Sequence, residues 1–239
     1  SIEQGSTEKI NQHADRHLSH LLAPTQAVIT KSEVEFYRSI IKDFKLSITA
    51  LNKYLSDPQA FVYETLLKIP RAKPDHMAFG SAIHKALETM FKHIQTHGQF
   101  PPKSLLFSSY EQAFKKEVVT EDFLQERLEY GRNLLLGYYQ DFSQKPNKPL
   151  YVERFFGSGW SQTVLDDIPL SGRIDRVDWL EVNKNIVIVT DYKTGSPKSI
   201  NFIEGSIASA GLTERELKLP KSIRSPMKRQ LLFYKLLGE

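Results

Sequence analysis

The sequence predicts an α/β fold, in which a small mixed β-sheet is flanked by helices and preceded by a helical extension. Through much of the first 143 residues, apolar side chains recur at helical spacing. After residue 149 they fall in short runs separated by turn residues, as in β-strands. Helices followed by a strand meander and a closing helix are the element order of an α/β or α+β domain.

The composition excludes several classes of protein. Hydrophobic residues make up 40% of the 239 residues, which is enough for a sizeable core and too much for a disordered chain. The absence of cysteine excludes disulfides, thiolate nucleophiles and iron–sulfur clusters from this chain. No apolar run approaches the roughly 18 residues of a membrane span, so we expect a cytoplasmic protein with no membrane partner. The net charge of +4 is compatible with a polyanionic partner.

The first 45 residues predict a helical extension, or a linker from a preceding domain. They are polar, with small apolar clusters, and they carry no recognisable chemistry. The chain begins with Ser1 rather than methionine, so we interpret it as a segment of a longer protein. Residues 46–239 form the predicted main domain, which we expect to be truncated at its C-terminus.

The helices of the main domain follow from their caps and apolar stripes. A helix starts near Leu46, with Ser47 or Thr49 as its cap, and stops near Pro58. A longer helix begins around Phe79, and two more cover 104–118 and 121–143. The apolar face of the longer helix is the most regular in the chain and consists of Phe79, Ile83, Leu87, Met90, Phe91 and Ile94.

Four strands are predicted next, over residues 150–156, 162–167, 170–180 and 185–193. The run from Ile186 to Val189 is apolar on both faces, which predicts a central strand covered on both sides. A loop-rich segment follows, and a last helix covers 226–238.

The hairpin formed by the last two strands brings two carboxylates together. If its turn is centred on Asn183, paired residue numbers sum to 366, and Asp175 lies directly opposite Asp191. Lys193, two residues further, shares the face of Asp191. Opposed carboxylates repel each other unless a cation lies between them. The pair therefore predicts a Mg²⁺ or Mn²⁺ site, where the ion would lower the pKa of a bound water and Lys193 would orient that water or stabilise the phosphorane.

An alternative reading of this hairpin stays open. An Asp-x-Lys sequence at a strand end is commonly a solvated or paired surface feature. A slip of one residue in the register would also send Asp175 to the other face of the sheet.

Four motifs, in order, carry a family resemblance. They are Gly-x-x-x-His at 80–84, Gly-Arg-Ile-Asp-Arg at 172–176, Asp-Tyr-Lys-Thr-Gly at 191–195 and Gln-x-x-x-Tyr at 230–234. The region from residue 46 onward resembles the RecB-type nucleases of the PD-(D/E)XK superfamily, such as the nuclease domains of RecB, AddA and AddB. The resemblance implies a restriction-endonuclease-like core. The chain departs from several relatives in lacking the four cysteines of their iron–sulfur cluster.

The resemblance also assigns roles to individual residues. Asp175 and Asp191 would bind the metal, with His84 approaching it from the helix and the main-chain carbonyl of Tyr192 completing the shell. The catalytic set would comprise Asp175, Asp191, Lys193, Gln230 and Tyr234, the last two lying one helical turn apart near the active site and DNA. Glu153 is a further candidate to assist. His84, Gln230 and Tyr234 each have an alternative role in packing and hydrogen bonding.

The expected function is Mg²⁺-dependent (or Mn²⁺-dependent) hydrolysis of single- or double-stranded DNA, as the nuclease part of a repair or recombination helicase-nuclease. A helicase domain in the same parent chain is the expected partner. Basic residues at 68–73 and 218–229 are either phosphate contacts or a solvated face. The first rival is a catalytically silent DNA-binding or scaffold domain, and the second is a metal-dependent phosphoesterase acting on RNA or nucleotides.

Overall fold

The computed structural model describes residues 31–143, 148–206 and 211–238. The chain divides into two compact units, Ser1–Asp43 and Phe44–Glu239. In the first unit, helix α1 covers Lys31–Lys42. Residues 1–30 of the predicted extension lie outside the described residues.

The second unit opens with a capped helix, as predicted. Helix α2 covers Ile48–Ser56, and the side chain of Ser47 accepts a hydrogen bond from the amide of Ala50 at its start. A single turn, α3 (Pro58–Ala60), then leads into a π-helix over Phe61–Leu66.

Three long helices form the larger core. They are α4 (Asp75–His97), α5 (Lys103–Phe114) and α6 (Glu121–Ser143). Helix α4 starts four residues before the predicted position because Pro74, which fixes its own φ, directly precedes the first turn. The predicted apolar stripe of α4 is buried, and it packs against Leu106, Tyr110, Phe114 and Leu135.

Within the described residues, the main sheet has three strands in the order β1-β4-β5. The strands are β1 (Pro149–Phe156), β4 (Gly172–Glu181) and β5 (Ile186–Thr190), and a separate hairpin pairs β2 (Thr163–Leu165) with β3 (Ile168–Leu170). All of these strands pair antiparallel. The parallel pairing expected in a mixed sheet is limited, among the described residues, to an isolated bridge between Leu46 and Leu170.

The prediction of Ile186–Val189 as the central strand is wrong. The central strand is β4, in which residues 174–178 are buried without interruption. Strand β5 lies at the edge of the described sheet, and Ile188 is 44% exposed. An apolar run indicates a strand, but the position of that strand in the sheet depends on which other strands pair with it. The polar residues of β4 conceal its central position because their charges are paired within the protein, as in the 2.7 Å bond from Arg176 to Asp178.

The C-terminal region packs its last helix on the sheet. Three short helices, α7 (Ile200–Ile203), α8 (Glu214–Leu217) and α9 (Lys221–Arg224), precede α10 (Pro226–Gly238). Phe233 and Leu237 of α10 join the core formed by β3 and β4. A Cβ on Gly172 would meet Leu237, so this glycine permits the close approach of α10 to β4. No helix among the described residues is long and apolar enough to cross a membrane.

Candidate active site

The register of β4 and β5 places two carboxylates opposite each other. Arg176 pairs with Thr190, and Val177 with Val189, so the paired numbers sum to 366 as predicted. This register is confirmed from Arg176 to Trp179, whereas next to the turn a bulge shifts the pairing so that Glu181 lies opposite Ile186. Beyond Arg176 and Thr190, the next residues along the two strands are Asp175 and Asp191, which therefore stand at the end of the ladder.

A third carboxylate lies at the same level, on β1. Strand β1 pairs Val152 with Arg176 and Arg154 with Ile174, so the intervening Glu153 lies opposite Asp175. Glu153 has a left-handed backbone, with φ of 50°. A non-glycine residue in this conformation within a strand is strained by about 1–3 kcal/mol, and such strain tends to occur at functional sites.

Asp175 is the most buried of the three, with 8% of its surface exposed. Its Oδ2 accepts a 2.7 Å hydrogen bond from the main-chain amide of Tyr192. This bond takes the Tyr192 amide away from the strand ladder, and β5 ends at Thr190 rather than at residue 193 as predicted. Burial raises the pKa of the Asp175 carboxyl, and the neighbouring carboxylate of Asp191 adds to that increase.

His84 approaches Asp175 from helix α4. Its Nε2 lies 3.0 Å from the main-chain oxygen of Tyr192, and its Nδ1 lies 3.6 Å from Oδ2 of Asp175. A carbonyl oxygen only accepts hydrogen bonds, so Nε2 is the donor in this contact, and in the neutral form of the ring Nδ1 carries the lone pair. The 3.6 Å separation is too long for a hydrogen bond, but it suits two ligands of one ion, each about 2.0–2.2 Å from it.

The residues present fit a divalent metal ion. One ligand atom each from His84, Glu153 and Asp175 lie within 4.8 Å of one another. Burial also raises the pKa of the Glu153 carboxyl, and Asp175 and Glu88 raise it further. Mutual repulsion of this kind is what a bound cation relieves. The bond from the His84 ring to a main-chain carbonyl is the usual way in which proteins orient a metal-binding histidine.

Asp191, a predicted ligand, lies outside this cluster of three and is held by other side chains. Its Oδ2 is 2.6 Å from Nζ of Lys193, which is about half exposed. Its Oδ1 accepts hydrogen bonds from the Tyr234 hydroxyl at 2.8 Å and from Nε2 of Gln230 at 2.9 Å. Gln230 also donates to the Tyr234 hydroxyl at 2.6 Å. The structure thus brings Lys193, Gln230 and Tyr234 together on one carboxylate.

The structure gives a physical reason for the glycine of the first motif, Gly80. A Cβ at this position would lie 3.1 Å from Oγ1 of Thr194, in the segment that follows Lys193. The glycine therefore lets helix α4 approach that segment closely. The result is that His84 reaches the site from the helix while Lys193 reaches it from the loop.

The basic segments differ from one another in the structure. Arg229 is buried and pairs with Glu216 at 2.6 Å, so it has a structural role rather than a phosphate contact. Arg71 and Lys73 form ion pairs with Glu64 and Glu117, respectively. The pairing of Lys73 with Glu117 could not be read from the sequence, because the two residues are 44 positions apart.

The sequence profile of the PD-(D/E)XK nuclease superfamily matches residues 45–238. No curated protein and no solved structure gives a match.

Proposed function

Because the chain belongs to the PD-(D/E)XK nuclease superfamily, which implies metal-dependent hydrolysis of phosphodiesters, we propose that it is a DNA nuclease that uses Mg²⁺ or Mn²⁺. The observation that carries this proposal is the His84–Glu153–Asp175 cluster beside the ion pair of Asp191 and Lys193. A nuclease of this kind needs both parts, a cation site and a positive side chain next to it.

We propose His84, Glu153 and Asp175 as metal ligands, with Asp191 and the carbonyl of Tyr192 as the further ligands that the motifs predict. The two ring nitrogens of His84 point in nearly opposite directions, so the Tyr192 carbonyl would take that role in place of its hydrogen bond to His84, not alongside it. The ion, when bound, would activate a water for attack and neutralise charge on the scissile phosphate. Three carboxylates with a carbonyl and waters suit Mg²⁺ or Mn²⁺, and Mn²⁺ accepts an additional imidazole more readily than Mg²⁺ does.

Lys193 is the proposed catalytic lysine. Its ammonium lies 2.6 Å from Asp191 and lines the same cavity as His84 and Glu153, a space of about 540 Å³. A point charge with three donors at this position can contact a phosphate oxygen and hold a water against it.

Gln230 and Tyr234 are proposed to act through Asp191 as positioning residues. Each donates a hydrogen bond to the same oxygen of that carboxylate. Burial raises the pKa of the Tyr234 hydroxyl, with Asp191 as the next cause, so the hydroxyl stays protonated and remains a donor. These two bonds fix the side chain whose other oxygen holds Lys193.

The biological context is a further part of the proposal. The four ordered motifs support a RecB-type exonuclease domain of a cytoplasmic repair or recombination helicase-nuclease, with the helicase in the same parent chain. DNA, single- or double-stranded, is the proposed substrate.

The test is cleavage of end-labelled DNA in Mg²⁺ or Mn²⁺, with EDTA and Lys193→Ala as negative controls. Lys184→Ala is the matched control, because Lys184 is exposed in the turn at the far end of the same hairpin. We expect metal-dependent cleavage that is lost in Lys193→Ala and kept in Lys184→Ala. DNA binding without cleavage would favour the silent domain, and preferential cleavage of an RNA competitor would favour the phosphoesterase.

A further inference from the structure

A second cavity, of about 440 Å³, lies beside the active site. It is lined by residues at the start of α4, on α6 and in the segment after β5. These residues are His76, Phe79, Phe123, Arg127, Tyr130 and residues 194–197. Its volume is in the range of roughly 300–1,000 Å³ that is typical of small-ligand pockets.

The two cavities are adjacent and share part of their lining. His76, Thr194 and Gly195 line both the second cavity and the cavity over the candidate metal site. A strand with a phosphodiester beside Lys193 therefore has the second cavity next to it, across residues 194–195. A neighbouring nucleotide of the same strand is the ligand that this adjacency suits.

The guanidinium of Arg127 is held in the second cavity by aromatic rings. It lies 5.3 Å from the ring centre of Tyr130, 5.4 Å from that of Phe123 and 5.9 Å from that of Phe79. Its Nε is buried and has no hydrogen-bond partner among the described residues. An acidic neighbour, Glu126, lies 3.4 Å from its NH2 group and is itself largely exposed. The ring contacts fix the guanidinium plane without using its hydrogen-bond donors.

Tyr130 provides an exposed aromatic surface in the same cavity. It is 49% exposed, although its ring is tilted against Phe79 at 5.8 Å. Exposed aromatic rings beside an arginine are how proteins stack unpaired bases, and every base has a π-face that such a ring accepts. A base within a duplex is already stacked on both faces, so it cannot use this surface without leaving the helix.

We propose that the cavity around Arg127 and Tyr130 binds an unpaired nucleobase next to the scissile phosphate, and that the enzyme therefore acts on single-stranded DNA or a frayed end. The position next to the scissile phosphate rests on the proposed nuclease function, because the metal site defines which phosphate is cut. The stacking itself depends only on the cavity.

Binding to a fluorescent single-stranded oligonucleotide in EDTA tests the stacking. Tyr130→Ala should weaken binding by about 5- to 150-fold, the usual effect of losing one base–aromatic stack. Tyr130→Phe keeps the ring and should bind like the wild type. Tyr63→Ala is the matched control, because Tyr63 is exposed to a similar extent, 46%, and lies outside both cavities. Unchanged binding by Tyr130→Ala would overturn the proposal.

Cleavage in Mn²⁺ locates the pocket relative to the cut. An oligonucleotide with one abasic residue, moved stepwise along the strand, should be cut less by the wild type when the gap lies next to the scissile phosphate. Tyr130→Ala should lose this dependence. If the wild type cuts DNA but the position of the abasic residue has no effect, the base-binding pocket is refuted and the proposed nuclease function is supported. If the wild type does not cut DNA but Tyr130→Ala still weakens binding, the proposed nuclease function is refuted and the base-binding pocket is supported.

Discussion

Tyr234→Phe removes one hydroxyl from the site and leaves the rest of the side chain in place. The hydroxyl donates a 2.8 Å hydrogen bond to Oδ1 of Asp191 and accepts a 2.6 Å bond from Gln230. The ring itself is 4% exposed and belongs to the core beneath the sheet, where phenylalanine fits equally well. The substitution therefore separates the positioning of Asp191 from the folding of the domain.

The size of the effect follows from the partners that Asp191 keeps. A hydrogen bond to a charged group contributes about 1.5–3 kcal/mol. Asp191 retains Gln230 and Lys193 in the variant, so we expect the lower end of this range. This corresponds to a loss in kcat of about 10-fold, since 1.4 kcal/mol is one power of ten.

The assay is single-turnover cleavage of end-labelled DNA at saturating Mn²⁺, together with thermal unfolding of each variant. Tyr139→Phe is the matched control, because the Tyr139 hydroxyl donates a 2.8 Å bond to the main-chain oxygen of Pro101, remote from the site. Tyr139→Phe should lose about as much stability as Tyr234→Phe and should keep the full cleavage activity of the wild type. Wild-type activity in Tyr234→Phe would refute the positioning role of this hydroxyl.

Three further predictions concern the metal, a buried arginine and a glycine. Burial raises the pKa of Asp175, so protons compete with the metal at higher pH than for an ordinary aspartate. Mn²⁺ should therefore raise Tm more at pH 7.5 than at pH 5. An equal increase in Tm at the two pH values would count against the site. In the metal-free protein the stability depends on pH in the opposite direction. The raised pKa of Asp175 contributes stability at low pH, and this contribution is lost as the pH rises through that pKa. Arg176→Ala, which leaves a buried Asp178 unpaired, should lower the free energy of unfolding by about 3–5 kcal/mol in urea denaturation. Gly80→Ala, which crowds Thr194, should reduce kcat without unfolding the domain. Gly137→Ala, which has open space around it, should stabilise α6 by about 0.5–1 kcal/mol. Equal kcat values for these two variants would contradict the role of Gly80.

Part of this site could be predicted from the sequence because it depends on local rules. The register of β4 and β5 decides which residues oppose each other, and the predicted register holds at the site although a bulge between Trp179 and Glu181 separates it from the turn. Asp175, Asp191 and Lys193 could be placed in this way. The spacing of Gln230 and Tyr234 likewise indicated one face of α10, although the carboxylate that they hold lies about 40 residues earlier.

Other parts depend on contacts between distant segments, which the sequence does not display. The sequence alone does not place Glu153 opposite Asp175, because that position follows from the pairing of β1 with β4 across an intervening hairpin. The cavity around Arg127 depends on the packing of α6 beside Phe79 of α4, 48 residues earlier in the chain. The edge position of β5 could not be predicted either, because an apolar run is compatible with any place in a sheet.

The most direct test of the candidate metal site is calorimetric titration of the protein with Mn²⁺ at pH 7.5, comparing the wild type with Asp175→Asn. Asp166→Asn, in the turn between β2 and β3, is the matched control, because it removes the same charge away from the cluster. We predict a binding site in the wild type and in Asp166→Asn that is lost in Asp175→Asn. Unchanged Mn²⁺ binding in Asp175→Asn would contradict the assignment of the metal site, whatever the cleavage assays showed.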